Sequence, residues 1–391
     1  MAQTKFKHIP FHRAYLGKDE IAGVAAAIRS GWITMGPKTV EFEDRFRKYI
    51  GARHALAVNS CTAGLHLALE AIGLKEGDEV IVPAITFTAT AEVVCYFKAR
   101  PVFVDVEKDT LNMDVADLQR KITRKTKAIV PVDYAGQPPD LDEIMRIARR
   151  HKLFVIEDAA HALPSSYKGR KIGRIADMTV FSFYATKTLC TGEGGMITTD
   201  NDKWAERMRT MRLHGMNRDA WKRYSKQGTW YYEVVGAGYK YNTTDLNAAL
   251  GLAQFKKLDL MWRKRKAIAQ AYDSGFKGLP GIAAPVIEKD SVTSWHLYAI
   301  KLDLERLSID RARFIEELAK RGISASVHFI PLYRHPFYRD GFGYRSPSLF
   351  PNSEWAYKRI VSLPIYPGMT RVQVKRVIAA IKAIITRYRN V

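Results

Sequence analysis

Three short stretches carry residue types whose order along the chain could do chemistry. In the first, the strand-like run His54-Ala55-Leu56-Ala57-Val58 passes into Asn59-Ser60-Cys61-Thr62-Ala63-Gly64 and then a helical pattern. Free N–H groups at such a helix start suit a phosphate, with the Thr62 hydroxyl as a further donor. Ser60 or Thr62 could equally serve as a helix cap and nothing more. In the second, Ile156-Glu157-Asp158-Ala159-Ala160-His161, an apolar strand ends on a carboxylate. In open α/β sheets that position points into the ligand crevice. A carboxylate there would suit the pyridine nitrogen of pyridoxal 5'-phosphate (PLP), whose protonated ring acts as an electron sink. The alternative use of Asp158 is to cap a helix at Ala159. His161 reads either as a ring-contacting residue or as a packed histidine. In the third, Phe181-Ser182-Phe183-Tyr184-Ala185-Thr186-Lys187 leads into Gly192-Glu193-Gly194-Gly195. A lysine just past a buried strand can reach back into the same crevice. One lysine in a basic chain is ordinarily a solvated one. The order phosphate turn, acid, lysine changes that, because together they supply an anchor, an electron-sink partner and a Schiff-base amine.

Alternating strands and helices must hold these groups. Asp19 to Ser30 reads as a helix, with Ile21, Val24, Ala25 and Ile28 on one face and Gly31 following. Strands are expected at 80–82, 102–106, 128–132, 153–156 and 179–183, with helices between several of them, including Asp140 to Arg150. Continuous apolar strands separated by helices imply a mostly parallel sheet covered on both faces. After about residue 260 the rhythm changes. A long polar helix carries Arg263-Lys264-Arg265-Lys266, and Gly278-Leu279-Pro280-Gly281 follows. Then come a strand near His296 to Leu302, a helix over 311–321, a strand over 323–328 and a last helix presenting Val374, Val377, Ile378, Ile381 and Ile385. The expected division is a large domain, 1–260, and a smaller C-terminal α/β domain, 261–391.

Composition narrows the class. With 47% apolar and 26% charged residues over 391 positions, the chain is an ordinary globular protein with room for two cores. No uncharged apolar stretch approaches the roughly 20 residues needed to span a bilayer. The polar start, Met1 to His8, lacks the apolar core of a secretory signal, so a cytoplasmic setting is expected. Cys61, Cys95 and Cys190 offer neither a disulfide framework nor a metal clip, and no metal is expected. The net charge of +22 favours anionic partners. It is spread over Arg146, Arg149, Arg150 and Lys152, the run at 263–266, and Lys375, Arg376, Lys382 and Arg387. No stretch interleaves basic and aromatic residues as a strand-binding groove would, so nucleic acid is not expected.

The chain resembles fold-type I PLP enzymes of the DegT/StrS sugar aminotransferase family over nearly its whole length. The resemblance rests on Ser30-Gly31-Trp32-Ile33-Thr34-Met35-Gly36-Pro37, the turn from Asn59 to Ala63, Gly77-Asp78-Glu79-Val80-Ile81 and Thr86-Phe87. It continues through Glu157-Asp158-Ala159-Ala160-His161, Ser182-Phe183 with Lys187, and Gly192-Glu193-Gly194-Gly195. Gly238-Tyr239-Lys240-Tyr241-Asn242, Ser362-Leu363-Pro364 and Pro367-Gly368-Met369-Thr370 complete it. It implies a seven-stranded, mostly parallel sheet between helices, joined to a smaller α/β domain.

By the same resemblance, Lys187 is the Schiff-base lysine and proton shuttle, and Asp158 pairs with the pyridinium nitrogen. Phe87 stacks on the ring and His161 sits by its hydroxyl. Thr62, Ala63 and Ser182 hold the phosphate. An Asn from a partner subunit completes that site, which implies a homodimer with shared active sites. Many members read Gly-x-Asn-x-Arg where this chain has Gly238 to Asn242, a variant shared with the UDP-4-amino-4-deoxy-L-arabinose synthase branch. Asn242 is assigned the contact, with Lys240 the other candidate.

The implied reaction is ping-pong transamination from L-glutamate to a nucleotide-linked keto-sugar, as in amino-sugar and cell-surface polysaccharide biosynthesis. The substrate expectation is a UDP-linked 4-keto sugar, the alternative a dTDP- or GDP-linked 3- or 4-keto sugar. Trp32, Thr34 and His328 are expected at the substrate, although His328 also reads as a packed histidine at a strand end. Rival readings are a sugar dehydratase of the same fold, against which Lys187 argues, and a non-catalytic or basic-surface binding homologue.

Overall fold

In the computed structural model, which describes residues 8–217 and 231–390, the main sheet begins with β1 (His54–Val58), β2 (Glu79–Pro83), β3 (Arg100–Val104), β4 (Thr126–Ile129) and β5 (Phe154–Asp158). A short ribbon, β6 (Ser166–Tyr167) and β7 (Arg170–Lys171), precedes β8 (Met178–Ser182) and β9 (Gly195–Thr199). The seven-stranded order is β1-β9-β8-β5-β4-β2-β3. β3, β2, β4, β5 and β8 run parallel, and β9 lies antiparallel to β1 and β8. The fold is therefore α/β with a mostly parallel sheet. The polar start through Lys7 lies outside the described residues.

Strands buried on both faces need apolar side chains at every position. Val80, Ile81 and Val82 accordingly have no exposed surface. Two expected strands end early. Val106 and Val132 leave the ladder and keep only isolated bridges, to Met113 and Asp158. β9 carried no sequence expectation, since Gly195-Met196-Ile197-Thr198-Thr199 directly follows the glycine turn. A Cβ at Gly195 would lie 2.8 Å from Ser60 O and 2.9 Å from Cys61 N, so glycine lets β9 pass close to that turn.

Helices flank this sheet. Ser60 Oγ accepts the Ala63 N–H and caps the helix Cys61–Ala71, and Asp140 caps Leu141–His151 through Glu143 N. Asp158 caps no helix, because the residues after it form turns.

The second sheet is β10 (Ile282–Ala283), β12 (Tyr298–Leu302) and β13 (Ile360–Leu363), antiparallel in the order β10-β12-β13. Between them β11 (Ser291–Val292) returns to pair with β6. The strand expected over 323–328 does not form. Ile323 bridges only Ile9 and Ser326 only Ser362, while the fully buried Ile360-Val361-Ser362-Leu363 takes the place beside β12. Serines at 324 and 326 offer little apolar surface to bury there.

Helices Arg311–Lys320 and Arg371–Tyr388 close this unit through Phe314, Leu318, Val377, Ile381 and Ile384. Full burial of such side chains contributes about 1.5–3 kcal/mol each. The helix Leu258–Phe276 runs through the expected boundary at residue 260. Leu258 packs in a core of the main sheet, and Ile268, Tyr272 and Phe276 pack in the core of the second, where Ile9 also lies. Among the described residues no helix is long and apolar enough to cross a membrane.

Candidate active site

β5 and β8 end at a cavity of about 500 Å³, which the start of helix Cys61–Ala71 also faces. Of the residues singled out above, Thr62, Phe87, Asp158, His161, Ser182, Lys187 and His328 line it. The structure thus brings the turn, the acid and the lysine to one place, as strand ends in a parallel sheet do.

Asp158 is held rigidly. Its Oδ2 accepts from Thr90 Oγ1 at 2.8 Å and its Oδ1 from Ala160 N at 3.1 Å. Burial raises its pKa, opposed by these two hydrogen bonds and by Lys187. Lys187 opens on the cavity and is otherwise enclosed by protein. That enclosure pushes its pKa down to about 8, while Cys61 and Asp158 oppose the fall. The glycine turn beyond it is pinned by Asn247 Nδ2, which donates to Thr191 O and Glu193 O.

The opposite wall is built from imidazoles. His161 and His296 lie against each other with ring centroids 4.3 Å apart and planes tilted by 34°, and each leaves Nδ1 buried without a partner. His328 bonds Ser362 Oγ through Nδ1 at 2.9 Å and stacks on Phe11. His12 leaves Nε2 unpartnered. Burial depresses all four, His12 and His328 to about 4, and Lys187 adds to the effect on each. All four are neutral near pH 7. His12 and His296 carried no functional expectation. Each stands in an unremarkable local pattern and reaches the cavity only through long-range packing.

Several expected residues lie elsewhere. Ala63 is buried and its N–H is taken by the Ser60 cap. The Trp32 indole folds over Gly36 and donates to Met35 O at 3.2 Å, and Thr34 O accepts from Asp245 N. Neither lines the cavity of this chain. Asn242 Oδ1 accepts from Lys240 Nζ at 2.8 Å, so the two candidates for the cross-subunit contact are bonded to each other, away from this cavity.

The donor set fits PLP. A helix start and the Thr62 and Ser182 hydroxyls suit the phosphate, a buried carboxylate suits the ring nitrogen, and an amine of lowered proton affinity stands beside it. Orphaned imidazole nitrogens around the same space await hydrogen-bond partners.

The profile of the DegT/DnrJ/EryC1/StrS aminotransferase family matches residues 14–382. The chain is 53% identical over 381 residues to the uncharacterized protein MJ1066 of Methanocaldococcus jannaschii, covering 97% of this chain and 98% of that one. It is 47% identical over 386 residues to the spore coat polysaccharide biosynthesis protein SpsC of Bacillus subtilis, covering 98% and 99%. Spr1654 of Streptococcus pneumoniae, named as a sugar aminotransferase and solved in its PMP form, superposes with a TM-score of 0.91 at 35% identity, covering 97% and 99%. A PLP form of the same protein has also been solved.

Proposed function

Because this chain belongs to the DegT/DnrJ/EryC1/StrS aminotransferase family, and is thereby a PLP-dependent sugar aminotransferase, we propose that it moves an amino group from L-glutamate to a nucleotide-linked keto-sugar. The substrate we favour is a UDP-linked 4-keto sugar. One observation carries the reading: Lys187, Asp158 and the start of helix Cys61–Ala71 face a single cavity.

In this reading Lys187 would hold the cofactor through Nζ, and Asp158 would pair with its ring nitrogen. Phe87 and His161, which line the same cavity, would lie against the ring, His161 beside its hydroxyl. Thr62 and Ser182 would surround the phosphate. Ala63 would back it from within the helix, with its N–H given to the Ser60 cap, and Asn242 of the partner subunit would complete the site in a homodimer. When bound, PLP supplies a ring that delocalises the electron pair left as a proton departs the amino acid's α-carbon. Lys187 Nζ, which opens on the same cavity, would take that proton and pass it on. Its value of about 8 suits the task, because a base works best with a proton affinity near the working pH. Thr90 and Ala160 keep Asp158 oriented throughout. Trp32, Thr34 and His328 contact the sugar nucleotide. The first two stand outside this chain's own cavity, a placement suited to serving a neighbouring subunit's site.

Purified protein supplied with PLP is expected to be yellow and to bleach with glutamate. Failure to retain PLP overturns the reading. Mass spectrometry of products from a set of UDP-, dTDP- and GDP-linked keto-sugars, with glutamate, identifies the substrate.

A further inference from the structure

On the face of the main sheet turned away from the cavity lie two carboxylates that the proposed reaction does not use. Side chains alternate between the faces of a strand. On β5, Asp158 faces the cavity, so Glu157 faces the far side. Asp133 lies alongside, past the end of β4: its N–H donates to Asp158 O at 3.2 Å, and Val132 bridges Asp158. Both side chains are completely buried, and their carboxyl groups are in hydrogen-bond contact. Glu157 Oε2 accepts from Thr179 Oγ1 at 2.8 Å, and the Gly173 N–H also faces Glu157. Glu157 Oε1 and both Asp133 oxygens have no donor. Among the described residues neither carboxylate has an ion-pair partner.

Two touching carboxylates in a dry interior cannot both ionise without a cation. One proton held between them gives their orphaned oxygens a donor and leaves a single negative charge. We propose that Asp133 and Glu157 share one proton and act as a single negative charge behind Asp158, positioning residues that strengthen its hold on the ring N–H of the cofactor. This rests on the reading that Asp158 meets that nitrogen. Burial raises both groups, in keeping with a retained proton. Asp133 is pushed up further by the charges of Glu157 and Asp158, while Glu157 stands at about 7, raised also by Asp158 and held back by its contacts with Thr179 and Asp133. The titratable groups facing Asp158 from the cavity side are Lys187 and Cys61, with His161 and His328 beyond Lys187. Asp158 is the charged neighbour of the pair itself.

The test is a pH titration of the visible absorbance of the holoenzyme in Glu157→Gln, Asp133→Asn and the double variant. In either single variant the remaining carboxyl ionises against an amide donor, so the net charge is unchanged and the spectral midpoint stays within a few tenths of a unit of wild type. The double variant removes the charge and lowers the midpoint by on the order of one pH unit, because nearby cations lose a favourable field. A double variant with an unchanged midpoint overturns the proposal, as does a single variant shifted as far as the double. Infrared spectra of the cofactor-free wild type give a second readout: one buried protonated-carboxyl band near neutral pH, lost in either single variant. Absence of that band also overturns it. If the protein binds no PLP, the reading of Asp158 fails while the infrared band still reports on the shared proton.

Discussion

The two sides of the cavity are built by different means. Asp158, Ser182 and Thr62 stand where β5 and β8 end and a helix begins, and Lys187 follows a few residues on. Their positions follow from local secondary structure, and they bring the cavity its charge. The facing side is assembled from distant segments: His12 near the start of the chain, His296 before β12, His328, and Ile365 after β13. Here the polar groups are neutral imidazoles. Behind them sits Arg265, fully buried, whose Nη1 donates to Trp295 O, His296 O and Ile365 O. Its charge, with that of Lys187, helps keep His12 and His296 unprotonated. Strand ends thus deliver the ions, while tertiary packing delivers hydrogen-bonding groups held uncharged.

Substitutions on the charged side have the largest expected effects. Lys187→Ala is expected to lose turnover by about 10³-fold or more, since both a proton carrier and a covalent tether go. Single-turnover assays with glutamate measure this, and PLP should still bind non-covalently. Near-normal turnover would remove Lys187 from its role. Asp158→Asn keeps the shape and removes the charge, so kcat should fall by about 10²–10³-fold with a smaller change in KM. Steady-state kinetics that show an unaltered kcat would place the ring-nitrogen partner elsewhere.

The uncharged side should announce itself through acid. His12 and His328 stand at about 4 in the folded protein, against an ordinary 6.5. Between those values the unfolded chain takes up protons that the folded chain refuses, so stability is intact above pH 6.5 and falls as pH drops toward 4. Each histidine contributes up to about 3 kcal/mol to that fall. Thermal melts of cofactor-free protein from pH 7.5 to 4 should therefore be less pH-dependent for His328→Gln than for wild type. Equal slopes would show that His328 titrates freely. The smallest effect belongs to Ser60→Ala, which removes a helix cap and should cost about 1 kcal/mol in urea unfolding.

Much of the charged side could be read from the chain before any coordinates. Continuous apolar strands followed by Asp158 and Lys187 carry local signals that survive folding unchanged. The helices at 18–29, 141–151 and 371–388 were legible for the same reason, through one-face spacing and, for the last two, the polar caps Asp140 and Thr370. β9 and β13 were not, because a five-residue strand after a glycine turn and the four residues Ile360 to Leu363 give no period long enough to judge. The run 323–328 reads as a strand but makes only isolated bridges, Ile323 to Ile9 and Ser326 to Ser362 at the edge of β13. His296 shows the limit most plainly. Its ring lies on His161, which is far away in the chain, and no local pattern encodes that meeting. Trp32 shows another limit: its indole donates to the nearby Met35 carbonyl, a contact that spacing alone does not reveal.

His12 and Ile365, near opposite ends of the chain, line the same cavity, and Ile9 bridges Ile323. During synthesis the main sheet can be complete once β9 has emerged from the ribosome. The pocket must then wait for most of the remaining chain, because its second side includes the segment after β13. A nascent chain stalled after β9 would carry both the lysine and the aspartate, yet leave them open to water.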